Sequence, residues 1–442
     1  MNDDSTDAPP PAPRPPLRRN RDFLLLWAGQ SVSEIGSQVT VLALPLVALV
    51  VLKASAFQIG LLAAAANLAF LLIALPAGVV VDRLPQRRLM VWCDVARGVL
   101  IGSIPVAQVA GVLTLGQLYV VALLASAVTV FFSIAWQSYL PVVLAHDELM
   151  EGNGKLGTSM SAAQVAGPGL GAALVGLVGA AKAMAGDALS YVASAATLVL
   201  MRTPQKAESL QDSQESQESP GAQASPLPKI RAQIAEGLRY VARDPILRKA
   251  VAWSGTANFF VIMVESLGPV FLVRTLHLRP GYVGLVLAAG AVGGIVGGLA
   301  SGRLARRLGS ARVSWLSMTL FALPGLLIPM AGPGWWTLLF AAGWTSWTFS
   351  ATVCAISMNS YRQATCPPAL LGRVNAAARW VTWGTLPLGG VVGGVLATAI
   401  GVRQTLWAAV VGGCLSGLWL YFSPLRGLRD IPHRVPDLAA AV

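Results

Sequence analysis

Charge is scarce in this 442-residue chain: Asp, Glu, Lys and Arg make up 12% of it, where a water-soluble protein averages about a quarter. Two soluble domains of this length would need far more polar surface, so the soluble class is excluded. Histidine is nearly absent. His146, His277 and His433 are scattered, which leaves no Ser/His/Asp constellation and no metal centre to assemble, so neither an enzyme nor any cofactor is expected. Four cysteines without a CxxC pair suggest neither a zinc site nor a disulfide framework. No GxxxxGK[ST] phosphate loop occurs, which disfavours ATP-driven work by this chain alone. Acids are outnumbered 20 to 32 by Lys and Arg. The excess bases sit at the ends of apolar runs rather than along a solvated face, which argues against a nucleic-acid partner. The N-terminus is acidic and proline-rich, unlike the basic start of a cleaved signal.

What is abundant is apolar sequence, 55% of the residues, with a mean hydropathy of +0.63. A helix needs about 20 apolar residues to cross roughly 30 Å of hydrocarbon. Twelve runs meet that length: 23–51, 57–80, 88–111, 116–144, 156–178, 183–201, 246–273, 281–304, 312–331, 335–362, 374–400 and 403–423. The expected organisation is an all-α integral membrane protein. A disordered tail (1–21) precedes a six-helix bundle (22–201), a polar low-complexity linker (202–227) and an amphipathic surface helix (228–244). A second six-helix bundle (245–424) and a tail (425–442) complete it. With both termini on the cytoplasmic side, the opposite loops hold only Lys53, Lys182, Arg274, Arg279 and Arg403. The remaining 27 of the 32 Lys and Arg residues fall on or near the cytoplasmic side.

The two bundles repeat each other. QSYLP (137–141) is followed by Leu149, Asn153, Gly167, Gly171 and Leu174, and NSYRQ (359–363) by Leu371, Asn375, Gly389, Gly393 and Leu396; each pair is 222 positions apart. Gly78, Arg83 and Arg87 likewise match Gly298, Arg303 and Arg307 at a spacing of 220. Two related six-helix halves around a midplane site resemble the major facilitator superfamily. GVVVDRLPQRR (78–88) is similar to that superfamily's signature between helices 2 and 3. AGPGLGAA (166–173) resembles the helix 5 motif of its drug–proton antiporters. Gly154 stands where that motif's first glycine would fall, and Ala163 replaces the next. FLLLWAGQSVSEIGSQVTVLALPL and LLGRVNAAA resemble the branch containing macrolide and siderophore (enterobactin) exporters.

The residues themselves leave alternatives open. Gly78 permits a close helix approach, and Asp82 is placed to cap helix 3. The resemblance implies that Asp82, Arg83, Arg87 and Arg88 form a gate between the halves; simple anchoring of the topology is the alternative. The second copy has Gly302 in place of the acid. Gly167, Pro168 and Gly171 give a bent, small-faced helix expected to pack against GGVVGG (389–394), or else generic small-residue packing. Glu34 and Glu265 lie within spans, where a buried acid is expensive unless it faces a cavity or a partner. Each is either a proton-coupling group that also attracts a cation, or a hydrogen-bonded structural acid. Gln30, Ser37 and Gln38 share the face of Glu34, and Asn258 that of Glu265. Asn67, Trp136, Gln137, Asn359 and Tyr361 are cavity or gate candidates. Asp94 and Arg97 read as a local ion pair, and Asp187 with Lys182 as the outer mouth of helix 6. The arginine that many antiporters of the superfamily carry in helix 4 is missing from 116–144.

The resemblance implies proton-coupled efflux, by alternating access, of a hydrophobic or amphipathic small molecule such as a drug, siderophore or secondary metabolite. It implies a multi-pass monomer in the plasma (inner) membrane, of the multidrug-resistance kind. A non-transporting scaffold or sensor of the same fold, and an uptake or lipid-flipping transporter, are the alternatives.

Overall fold

The computed structural model describes Leu17 and residues 20–144, 148–202 and 226–430. Most of the expected tails and linker lie outside those residues, but Leu17 of the first tail and Leu425 of the second are buried, so the tails are not disordered over their whole expected length. Among the described residues there is no strand. The N-terminal half comprises α1 (Arg21–Leu46), α2 (Ala56–Asp82), α3 (Gln86–Val109), α4 (Leu115–Val143), α5 (Leu149–Val178) and α6 (Ala180–Leu200). α7 (Pro226–Arg243) follows the linker. The C-terminal half comprises α8 (Pro245–Val270), α9 (Pro280–Leu308), α10 (Ser310–Leu316), α11 (Leu327–Met330), α12 (Thr337–Thr365), α13 (Pro368–Ala399), α14 (Val402–Ser416) and α15 (Leu418–Tyr421).

Among the described residues ten helical stretches are long and apolar enough to cross a membrane, and an eleventh, α5, qualifies if its two arms count as one span. Its arms, 151–164 and 169–178, meet at 46° where the sequence has Pro168, which lacks an amide hydrogen and cannot continue the helical ladder. The side chain of Pro168 lies outside the described residues. The twelfth expected span, 403–423, is interrupted at Gly417 into α14 and α15, so neither piece reaches the crossing length alone.

The halves are built alike, and the likeness extends to irregular details. Pro45 in α1 and Pro269 in α8 each precede a π-helical turn, Val47–Val51 and Phe271–Thr275. Lys53 and His277, both with φ near +55°, close those turns at a spacing of 224. Asn20 and Asp244, also 224 apart, are the N-caps of α1 and α8. The Asp244 carboxylate accepts from the Ile246 and Leu247 amides at 2.8 and 2.9 Å and from the Tyr361 hydroxyl at 3.1 Å. Asp244→Ala is expected to lower stability by roughly 0.5–2 kcal/mol, seen as an earlier unfolding midpoint in detergent. An unchanged midpoint would remove the cap from this account.

Within each half, equivalent pairs pack: α1 on α5 and α6 as α8 on α13 and α14, and α2 on α4 as α9 on α12. Between halves, α2 meets α13 and α5 meets α9, again a symmetric pair. α7 does not lie free on a surface. It docks on α13, where a Cβ on Gly237 would stand 2.5 Å from the Arg373 carbonyl oxygen, and Glu236 pairs with Arg373 at 2.6 Å. Val241 of its apolar face is buried, while the side chains of Ile230 and Ile234 lie outside the described residues.

Candidate functional site

The end of the bundle that carries Asn20, Arg202 and α7 is called here the linker end, and the other the distal end. Close approaches between the halves lie from the distal end to the middle. Arg274 Nη2 donates to the Ala54 carbonyl at 2.6 Å. An added Cβ on Gly60 would stand 2.4 Å from Gly390 O, and one on Gly284 2.2 Å from the Ala172 Cβ. Midway, Trp380 Nε1 donates to Leu71 O at 3.2 Å, and the Phe70 and Trp383 rings are 4.7 Å apart. Nearer the linker end, Gly78 and Gly298 have open space where a side chain would stand. The expected close approach at Gly78 is therefore absent among the described residues.

Two acids lie along the helices that border this divide. In α1, Glu34 is half-buried and accepts from Gln38 Nε2 at 3.3 Å, with Gln30 one turn earlier and Gln30 Oε1 buried without a partner. Val41, two turns on from Glu34, is 69% exposed, so this side of the helix is open. Ser37 leaves that group, bonding instead to Tyr191 of α6 at 2.9 Å. In α8, Glu265 is the only exposed residue between Arg248 and Arg274, and its neighbours Ile262–Val264 and Ser266–Val270 are all buried. A lipid-facing helix shows an exposed stripe repeating every three or four residues, as α3 does at Val95, Val99, Val106 and Val109. Glu265 is instead a single exposed residue between two runs of buried ones, not part of such a stripe. Asn258 binds α8 to α13 by donating to Thr382 O at 2.9 Å.

The remaining candidates are placed as follows. Asn67 turns back to its own helix at Ala63 O, 2.8 Å away, and Asn359 accepts from Arg362. Gln137 is exposed, and the Trp136 indole N–H is buried without a partner. Tyr361 is buried and spent on Asp244, away from any cleft. One charged residue escaped the sequence reading. Arg379, about 16 Å along α13 from Pro368 at 1.5 Å per residue, is exposed and stacks over Trp383 at 4.5 Å and Phe70 at 5.9 Å. Its position inside an apolar run was the available signal.

In the charged joint, Asp82 closes α2, and its side chain lies outside the described residues. The N-cap position of helix α3 is Pro85, which provides no side-chain cap, and the expected capping by the Asp82 side chain lies outside the described residues. Arg87 binds the Leu198 and Val199 carbonyls at 2.8 Å each. These are among the last carbonyls of α6, which lack helical partners, so Arg87 fastens α3 to the end of α6. Arg83, Arg88, Arg303 and Arg307 are exposed.

The helix 5 glycines pack differently from expectation. Added Cβ atoms at Gly167 and Gly171 would meet α1, at Gln38 Cβ (2.3 Å) and Val39 Cα (3.3 Å). Gly389 and Gly393 do the same for α13 against Phe259, Ile262 and Met263 of α8. The two sets perform equivalent tasks in their own halves rather than touching each other. Gly154 faces open space. Asp187, expected at an outer mouth beside Lys182, is fully buried. The Asp94–Arg97 pair is formed, wholly inside the protein. Among the described residues no group of three or more His, Cys, Asp or Glu side chains is arranged to hold a metal.

Comparison with known proteins follows the same lines. The family model described as Major Facilitator Superfamily matches residues 26–386 and 269–437. The chain is 25% identical over 431 residues to the multidrug efflux pump Tap of Mycolicibacterium fortuitum, covering 94% of this chain and 99% of that one. It is 24% identical over 410 residues to the uncharacterized MFS-type transporter YfiS of Bacillus subtilis (strain 168), covering 91% and 92%. The crystal structure of a point mutant of the nucleoside transporter NupG superposes with a TM-score of 0.71 at 14% identity, over 90% of this chain and 99% of that one.

Proposed function

Because the chain belongs to the Major Facilitator Superfamily, and is thus a multi-pass membrane transporter, we propose that it exports a hydrophobic or amphipathic small molecule in exchange for protons. The observation that carries this reading is Glu265, a single exposed carboxyl flanked by the buried residues 262–264 and 266–270. An acid in that place can hold a proton or face a cation, and alternation between the two is antiport. Glu34, with Gln38 and Gln30, is the acid of the N-terminal half, on α1, the helix equivalent to α8, and Arg379 with Phe70, Trp380 and Trp383 forms the midpoint of the divide. The 25% identity to a multidrug efflux pump favours export over uptake.

The halves 22–201 and 245–424 rock as bodies around this divide. The linker end is cytoplasmic, as the distribution of Lys and Arg requires, and the protein is a monomer of the inner membrane with both termini inside. On this reading, the contacts at the distal end and the open space at Gly78 and Gly298 correspond to a state open to the cytoplasm. Arg83 and Arg88, exposed here, then meet the other half, together with Asp82, when the linker end closes. No chemistry on the substrate and no cofactor enters this cycle.

Inverted membrane vesicles carrying the protein, with a pH gradient imposed, test the proposal. Ethidium and a panel of neutral amphipaths are expected to trigger proton flux and to accumulate. Folded protein that moves neither protons nor any of these compounds would defeat it in favour of a scaffold.

A further inference from the structure

The N-terminal half holds a second set of charges, used neither by the divide nor by the joint. Asp94 and Asp187 are fully buried, and Arg97 is 5% exposed. The Arg97 guanidinium lies 4.1 Å from the centre of the Phe132 ring of α4 and 4.4 Å from that of Tyr191 of α6. It is paired with Asp94 on its own helix. Asp187 of α6 accepts from Thr40 of α1 and, at 3.1 Å, from Ser190. The Tyr191 and Ser37 hydroxyls continue this polar chain onto α1. Gly36 lets α1 come so near: a Cβ there would stand 2.6 Å from Asp187 Oδ1 and 2.3 Å from Ser190 Oγ. Along α1, Glu34 is about 20 Å from the linker end, and Asp187 is a similar distance along α6. Both therefore lie near the midplane.

The charge count is decisive. Two carboxyl groups share one guanidinium inside the protein, and arginine does not give up its proton. With both acids ionised, one buried negative charge would be left uncompensated, at a cost of several kcal/mol. The charged and titratable groups facing Asp187 are Arg97 from α3, Glu34 from α1 and Tyr191 from α6, and none adds a second positive charge. Arg97 is engaged by Asp94, whereas the partners of Asp187 are hydroxyls, able to accept a hydrogen bond from a protonated carboxyl as well as to donate one. Asp94 Oδ2 and Arg97 Nε are buried without partners, so the cluster has capacity to re-pair when its charge changes.

We infer that this α1–α3–α6 cluster is a proton-binding site, with the exchanged proton carried on the carboxyl of Asp187. The inference rests on the antiport reading and adds a substrate class. When the Asp187 carboxyl releases its proton to water, the half gains a negative charge beside Glu34 on α1. A cationic substrate at Glu34 compensates that charge, and reprotonation of Asp187 removes the attraction. Proton and organic cation thus compete through one helix, without sharing a site.

Purified full-length protein in lipid vesicles tests this in two ways. In pH-jump infrared difference spectra, one carbonyl band of a protonated carboxyl is expected to vanish in Asp187→Asn, and in Thr40→Val to persist at a changed frequency. With ethidium as the probe, Asp187→Asn should lose one exchanged proton. Accumulation across a gradient of one pH unit then falls about tenfold, while gradient-free exchange of preloaded ethidium continues. Bands unchanged in Asp187→Asn, or lost only in Asp94→Asn, overturn the assignment. So does ethidium accumulation driven by sodium at constant pH and lost in Asp187→Asn, which would place a metal cation there. If the wild type moves no probe at all, the antiport reading fails, while the infrared comparison still decides whether Asp187 carries a proton.

Discussion

Glu265→Gln is expected to remove one proton from the transport cycle, so that accumulation driven by one pH unit falls about tenfold while gradient-free exchange survives. One pH unit is worth about 1.4 kcal/mol per proton, a factor of ten in an equilibrium ratio. Glutamine keeps the size and hydrogen-bonding capacity of the side chain but cannot exchange a proton. The position tolerates the change because the side chain is exposed rather than packed, whereas its neighbours Val264 and Ser266 are buried. The measurement is substrate accumulation against imposed gradients of different size in reconstituted vesicles. A slope unchanged from wild type in Glu265→Gln, and again in Glu34→Gln with Glu265→Gln, would leave both acids as structural groups.

The second large effect is expected from the smallest substitution. Gly60→Ala places a methyl group 2.4 Å from Gly390 O and 2.8 Å from Gly394 Cα. Both obstacles are backbone, which no rotamer change moves aside, so the distal contact must open. Overpacking of this kind typically costs about 1–3 kcal/mol. Applied to the balance between the two states of the transporter, that is roughly a 5- to 150-fold shift away from the state closed at the distal end. Spin labels placed at the distal ends of α2 and α13 would report the separation, and transport should fall with it. Gly78→Ala is the matched control, since its added methyl group meets nothing within 4 Å in this state. Equal effects of the two substitutions on the spin-label distance would show that the distal glycine contact does not hold the halves together.

Much of this was legible in the residues. The spacings of 220 and 222 reported two related halves, and the structure extends the correspondence to Asn20/Asp244 and Lys53/His277, which carry no conspicuous motif. The bend in α5 followed from Pro168. Asp187 was misplaced because Lys182 stands five residues before it, near the start of an apolar run, and together they looked like a polar rim. Burial of Asp187 is decided by what covers one face of α6, namely Gly36 and Thr40 of α1, more than 140 positions away. Arg379 was absorbed into the count of membrane-edge bases although it lies inside the run 374–400. The glycines of α5 and α13 mark contact surfaces, but each set packs on the first helix of its own half rather than on the other set. A glycine marks where a close approach is possible and carries no information about which helix makes it.

By itself, then, the sequence determined the properties that depend on local composition and order: a membrane solvent, spans of the necessary length, a charge asymmetry and a duplicated plan. These follow from hydrocarbon thickness, backbone hydrogen bonding and the patterning of each segment against its own surroundings. Only the tertiary structure decided which acids are covered and which are open. Glu265 and Asp187 are both carboxyl groups within apolar helices, yet one is exposed and the other is covered by α1. That difference arises from helix rotation and from the partner each face meets, which are set by packing between segments far apart in the chain.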